Sequence, residues 1–133
     1  FATVAARLSG PCWVLLVEDD LLVAQVVVPA LEGAGFSVLH ARSADAALAM
    51  LRGGARFDLV FSDVMMPGSV DGLGLARLLA QDWPQLPVVL TAALAGDIPQ
   101  LPDVPVLPKP YSMQVLVNTL LDALARHGRH TNA

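Results

Sequence analysis

Phe57-Asp58-Leu59-Val60-Phe61-Ser62-Asp63 reads as a short run of strand-forming apolar residues that ends on a carboxylate. Outward from it, the same arrangement recurs. Trp13-Val14-Leu15-Leu16-Val17 ends on Glu18-Asp19-Asp20, and Leu86-Pro87-Val88-Val89-Leu90 ends on Thr91. Val104 to Leu107 lead into Pro108-Lys109-Pro110. Runs this short and this continuously apolar suit strands covered on both faces. Each delivers a polar or charged residue at its carboxyl end, the edge at which open parallel sheets bind ligands.

The intervening segments read as helices. Strands are expected at about 13–18, 36–41, 58–62, 87–91 and 104–107, with helices at about 20–33, after Ser43, at about 72–82 and after Ser112. Ser43 is a natural N-cap, and Ala44, Ala47, Leu48 and Leu51 share one face of the helix it opens before Gly53-Gly54 ends it. Met113, Leu116, Val117, Leu120, Leu121 and Leu124 mark the face of the last helix. Strand–helix alternation implies right-handed crossovers and a parallel sheet. Two places break the rhythm. Pro29 falls inside the first helix, where it is expected to kink the chain. Pro99, Pro102, Pro105 and Pro108 recur at every third position, so the fourth crossover has room for one helical turn near Ala95 to Leu101. Pro105 also marks the fifth strand as an edge strand.

With 133 residues the chain fits one domain, flanked by a linker-like tail over residues 1–12 and a short tail over 128–133. It begins at Phe1 and not Met, as expected of an excised or processed piece. Hydrophobic residues make up 55%, yet no 18-residue apolar stretch is present, so membrane contact is not expected. Net charge is −4 and the basic residues are scattered, which argues against a nucleic-acid partner. The single cysteine, Cys12, rules out an intrachain disulfide and reads as an inert, partly buried thiol in a reducing, cytoplasmic setting. His40, His127 and His130 lack metal-ligand spacing and read as surface or tail residues.

Three carboxylates gathered at one sheet edge repel one another unless a cation intervenes. A hard divalent ion resolves the repulsion, because it prefers oxygen ligands and keeps its remaining waters. A carboxylate beside such an ion can attack a phosphoryl group and become an acyl phosphate. An ammonium and a hydroxyl then neutralise and orient the transferred oxygens.

Val14-Leu15-Leu16-Val17-Glu18-Asp19-Asp20, Ser62-Asp63-Val64-Met65-Met66-Pro67, Leu90-Thr91-Ala92 and Lys109-Pro110-Tyr111, in this order, together resemble the receiver domain of bacterial two-component response regulators. The resemblance covers residues 13 to about 127. It implies a flavodoxin-like, doubly wound five-stranded α/β sheet of order 2-1-3-4-5 wrapped by five helices, the fourth of which the prolines are expected to leave shortened or irregular. It implies that Asp63 is the phosphoacceptor, and that Glu18, Asp19, Asp63 and the main-chain carbonyl of Met65 hold Mg2+ (or Mn2+). Thr91 is then the switch hydroxyl, Lys109 the partner of the phosphoryl oxygens, and Lys109-Pro110 a cis peptide. Asp20 is expected to cap the first helix. The implied partner is a histidine kinase or a histidine phosphotransfer domain, and weak homodimerisation is left open. Met65 to Gly72 and Asp82 to Pro87 further resemble receivers attached to hybrid sensor histidine kinases. As an isolated domain the chain is not expected to be an enzyme beyond catalysing its own phosphorylation and dephosphorylation.

Two departures stand out. Val106 occupies the position where the family usually has an aromatic switch residue, and Tyr111 belongs to a different position. Met65, two residues after Asp63, is expected to set an apolar side chain over the acceptor pocket. Two other readings remain. One is a degenerate receiver used as a binding scaffold. The other is an aspartyl-phosphate phosphatase, which fits poorly because such enzymes carry the nucleophile on the first strand, whereas Asp63 closes the third.

Overall fold

The computed structural model describes residues 10–66, 68, 70–93 and 104–127. Five strands, β1 (Trp13–Val17), β2 (Ser37–Ala41), β3 (Leu59–Asp63), β4 (Val88–Ala92) and β5 (Val106–Pro108), form one sheet of order β2-β1-β3-β4-β5. Every neighbouring pair is parallel. Among the described residues four helices accompany it: α1 (Leu21–Gly33), α2 (Ala44–Arg52), α3 (Gly72–Asp82) and α4 (Met113–Arg126). This is the flavodoxin-like α/β arrangement that the resemblance implies, and the sheet is parallel as the strand–helix alternation predicts. The expected short turn in the fourth crossover lies outside the described residues. No helix among the described residues is long and apolar enough to cross a membrane.

Side-chain alternation divides the core into two layers. Val14, Leu16, Leu59, Phe61, Val89 and Leu107 meet Ala24, Val27 and Leu31 of α1 and Leu116, Val117, Leu120, Ala123 and Leu124 of α4. Leu15, Val17, Val60 and Leu90 meet Ala44, Ala47, Leu48 and Leu51 of α2 and Leu75, Ala76 and Leu79 of α3. Each fully buried leucine contributes about 1.5–3 kcal/mol of transfer free energy, so both layers are substantial.

Local chemistry sets the element ends. The Asp20 carboxylate accepts hydrogen bonds from the amides of Leu22 and Val23, capping α1 as expected. Ser43, Asp71 and Ser112 do the same for α2, α3 and α4. Pro29 does not end α1, which continues to Gly33. Its ring sits on the exposed side, where water can satisfy the carbonyl it leaves without a donor. β5 is a three-residue edge strand that starts just after Pro105. Gly72 lies close against the end of β3: a Cβ there would collide with the Asp63 carbonyl oxygen, and its amide donates to Val64 O at 3.0 Å. Only glycine lets α3 start against the end of β3.

Candidate phosphoacceptor site

The period-two alternation of the strands explains why the candidate residues converge. Glu18, Asp63, Thr91 and Lys109 each follow by two an inward residue of the α1/α4 layer, namely Leu16, Phe61, Val89 and Leu107. All four therefore continue the same face past the carboxyl edge of the sheet. Register completes the arrangement, since Asp63 lies directly opposite Thr91, and Thr91 opposite Leu107.

Carboxylate oxygens of Glu18, Asp19 and Asp63 lie within 4.8 Å of one another, and among the described residues no other trio of His, Cys, Asp or Glu does so. Lys109 Nζ donates to Asp63 Oδ2 at 2.7 Å, a charge-assisted contact. The Met65 amide donates to Asp63 Oδ1 at 3.1 Å. Glu18 Oε2 accepts from the Asp20 amide at 3.1 Å. Burial raises the Glu18 carboxyl above its ordinary range; the Asp20 hydrogen bond opposes the shift and the Asp63 charge adds to it.

One ammonium against three carboxylates leaves two negative charges in excess when all are ionised. Oxygen donors, close spacing and excess negative charge together fit a hard divalent cation. Glu18 and Asp63 are buried while Asp19 is partly exposed, so the trio opens to solvent on one side.

The Lys109 main chain is anchored. Pro108 and Pro110 have no amide hydrogen, so Lys109 N–H is the single main-chain donor across three residues, and it bonds Ala92 O at 3.0 Å. The Lys109–Pro110 peptide is cis. Thr91 is buried, and its hydroxyl donates to Leu107 O at 2.8 Å, away from the carboxylates. Val106 packs with the α2/α3 layer, on the other side of β5 from Leu107. Tyr111 meets Phe61 edge-on, with ring centroids 6.0 Å apart at 74°. Burial, then the charges of Glu18 and Asp63, push its phenol up to about 12.

Three expectations need correction. Met65 is 75% exposed, so its side chain stands mostly in solvent instead of closing over the pocket. Cys12 is fully and not partly buried. His40 is not a plain surface residue: it is half-buried, and its Nε2 lies 2.7 Å from Glu18 O. No spacing rule could have found that contact, because its acceptor is a main-chain carbonyl.

The sequence profile of the response regulator receiver domain matches residues 14–121. The chain belongs to this family. Among curated relatives, the Sensor kinase CckA of Brucella abortus (strain 2308) is 35% identical over 128 residues, covering 92% of this chain and 13% of that protein. The chain thus spans a small part of that relative, and half or less of two others. The response regulator receiver protein CpdR of the same organism is 33% identical, over 80% of this chain and 92% of its own length. Among solved structures, a response regulator receiver protein from Sinorhizobium medicae WSM419 superposes with a TM-score of 0.79 at 28% identity, covering 88% of this chain and 97% of that one. The receiver domain is a signalling module, and its fold and strand order are those described above.

Proposed function

We propose that this receiver domain takes a phosphoryl group from a phosphohistidine onto Asp63. The observation that carries the reading is the Lys109–Asp63 contact of 2.7 Å inside the three-carboxylate cluster. An Asp63 carboxylate oxygen attacks phosphorus in line, the phosphorus–nitrogen bond breaks with its electron pair going to the ring nitrogen, and the donor ring, protonated beforehand on its other nitrogen, departs as neutral imidazole. Asp63 becomes an acyl phosphate, and later attack by water returns the carboxylate and free phosphate. Lys109 passes from the carboxylate to a phosphoryl oxygen, and Thr91 gives up Leu107 O to donate to another. Glu18, Asp19, Asp63 and the Met65 carbonyl would hold Mg2+ (or Mn2+), which supplies charge neutralisation when bound.

The donor is a histidine kinase or a histidine phosphotransfer domain. A groove of about 660 Å³ borders the site, lined by Leu22, Val26, Lys109, Pro110, Tyr111 and Met113 among others. Leu22 and Val26 are 74% and 62% exposed, so α1 offers an apolar strip beside the acceptor. Such a strip suits an amphipathic helix that carries the donor histidine. Residues 13–127 act as the receiver unit in the cytoplasm, and kinship with a sensor kinase favours attachment to a hybrid kinase.

Intact-mass spectrometry with Mg2+ and a small phosphodonor such as acetyl phosphate tests the reading. The expected result is a transient gain of one phosphoryl group, absent in Asp63→Ala. No gain in the wild type would favour a binding scaffold, and steady turnover of phosphate monoesters a phosphatase.

A further inference from the structure

In the parallel ladder between β1 and β2, hydrogen bonds alternate along the strands. The Ser37 amide donates to Cys12 O, and at the far end the Glu18 amide donates to Ala41 O. Continuing the alternation, the next donor, for Glu18 O, would be the amide of residue 43. The chain has already left the sheet there, because Ser43 is the N-cap of α2. The ladder thus ends one bond short, at the carbonyl of a residue whose carboxylate belongs to the acidic trio.

His40 fills the gap. It lies opposite Leu16 on β2, so alternation puts its ring on the α1/α4 face with Val38, Leu16 and Glu18. Its Nε2 reaches Glu18 O at 2.7 Å. A carbonyl only accepts, so the ring contributes Nε2–H. Both main-chain polar groups of Glu18 are then held, the amide by Ala41 O and the carbonyl by His40. The peptide that carries Asp19 begins at this carbonyl, so its plane, and the direction in which Asp19 leaves the strand, are fixed from β2.

We infer that His40 is a positioning residue for divalent-cation binding, acting through the Glu18–Asp19 peptide rather than as a ligand. The inference rests on the cation reading of the acidic trio. Outer groups that orient ligands set affinity by limiting how much the site must reorganise. His40 orients a peptide and not a ligand atom, so its removal should weaken binding by roughly three- to tenfold, less than loss of a partner to a ligating side chain.

The test titrates the wild-type domain, His40→Leu and His40→Gln with Mg2+ by calorimetry and by amide NMR, without phosphodonor. Leucine fills similar space with no donor, whereas the glutamine amide can still reach Glu18 O. The expected result is weaker binding in the leucine variant and recovery to within about twofold in the glutamine variant. The Asp19 amide nitrogen, which senses the hydrogen bond at the preceding carbonyl, should shift in the leucine variant alone. Wild-type affinity in His40→Leu, or equal losses in both variants, overturns the inference and leaves the cation reading standing. No Mg2+ binding by the wild type overturns both.

Discussion

Glu18 is only 4% exposed and has a second carboxylate, Asp63, close enough to oppose its ionisation. Its folded-state affinity for a proton is raised, mainly by burial. Just above the ordinary glutamate range, the folded chain therefore holds more protons at this position than the unfolded chain does. Glu18 then favours the fold at low pH, and this contribution is lost as pH rises through the raised value. In EDTA, the melting temperature of Glu18→Gln should fall less than that of the wild type between pH 4 and pH 7. The same variant should lose the rise in melting temperature that Mg2+ gives the wild type. A parallel pH dependence in the two proteins would mean that Glu18 is not penalised. Glu18, Asp63, Thr91 and Lys109 were legible in the sequence because each closes an apolar run, and strand periodicity does the rest. His40 was not. Its role arises because α2 starts one residue too early for the sheet to satisfy Glu18 O, and such a shortfall follows from register, which composition does not encode.

Among the elements, α3 starts hard against the end of β3, at Gly72. A methyl group there would meet the Asp63 carbonyl oxygen and press on Val64 Cα at 2.8 Å, both backbone atoms that cannot swing aside. Gly72→Ala should destabilise the domain by about 3 kcal/mol, the upper end of overpacking costs, because the helix start or the strand end must shift. Chemical denaturation checks this, and an unchanged midpoint would show that α3 can retreat freely. The faces of α2 and α4 were readable from helical spacing, and the buried residues of α2 are the four the pattern selects. α1 was less readable. It is apolar nearly all round, so spacing alone could not separate buried Ala24, Val27 and Leu31 from exposed Leu22 and Val26. Its proline was legible as internal to the helix, which runs on past it to Gly33.

In the molecule as a whole, two of the described helices pack on each face of the sheet, while the candidate chemistry stands at one edge. The apolar strip of α1 adjoins that edge, which separates docking from chemistry in an experiment. Val26→Glu should slow phosphotransfer from a phosphohistidine protein by roughly tenfold, the scale of one lost apolar anchor. The rate with acetyl phosphate, which needs no docking, should stay unchanged. Equal slowing with both donors would place the damage in the site itself. Parallel strands were foreseeable from alternation and their order from family likeness, whereas the groove required knowing which side of α1 the sheet leaves uncovered. The two prolines around Lys109 carry a mechanical consequence. With its amide tied to Ala92, the lysine backbone is a stationary pivot, and the ammonium can follow a migrating charge by swinging its flexible stem alone. In the proposed reaction, charge capture then leaves the backbone silent. The trigger for any wider rearrangement falls to Thr91, whose hydroxyl must let go of the strand beside it.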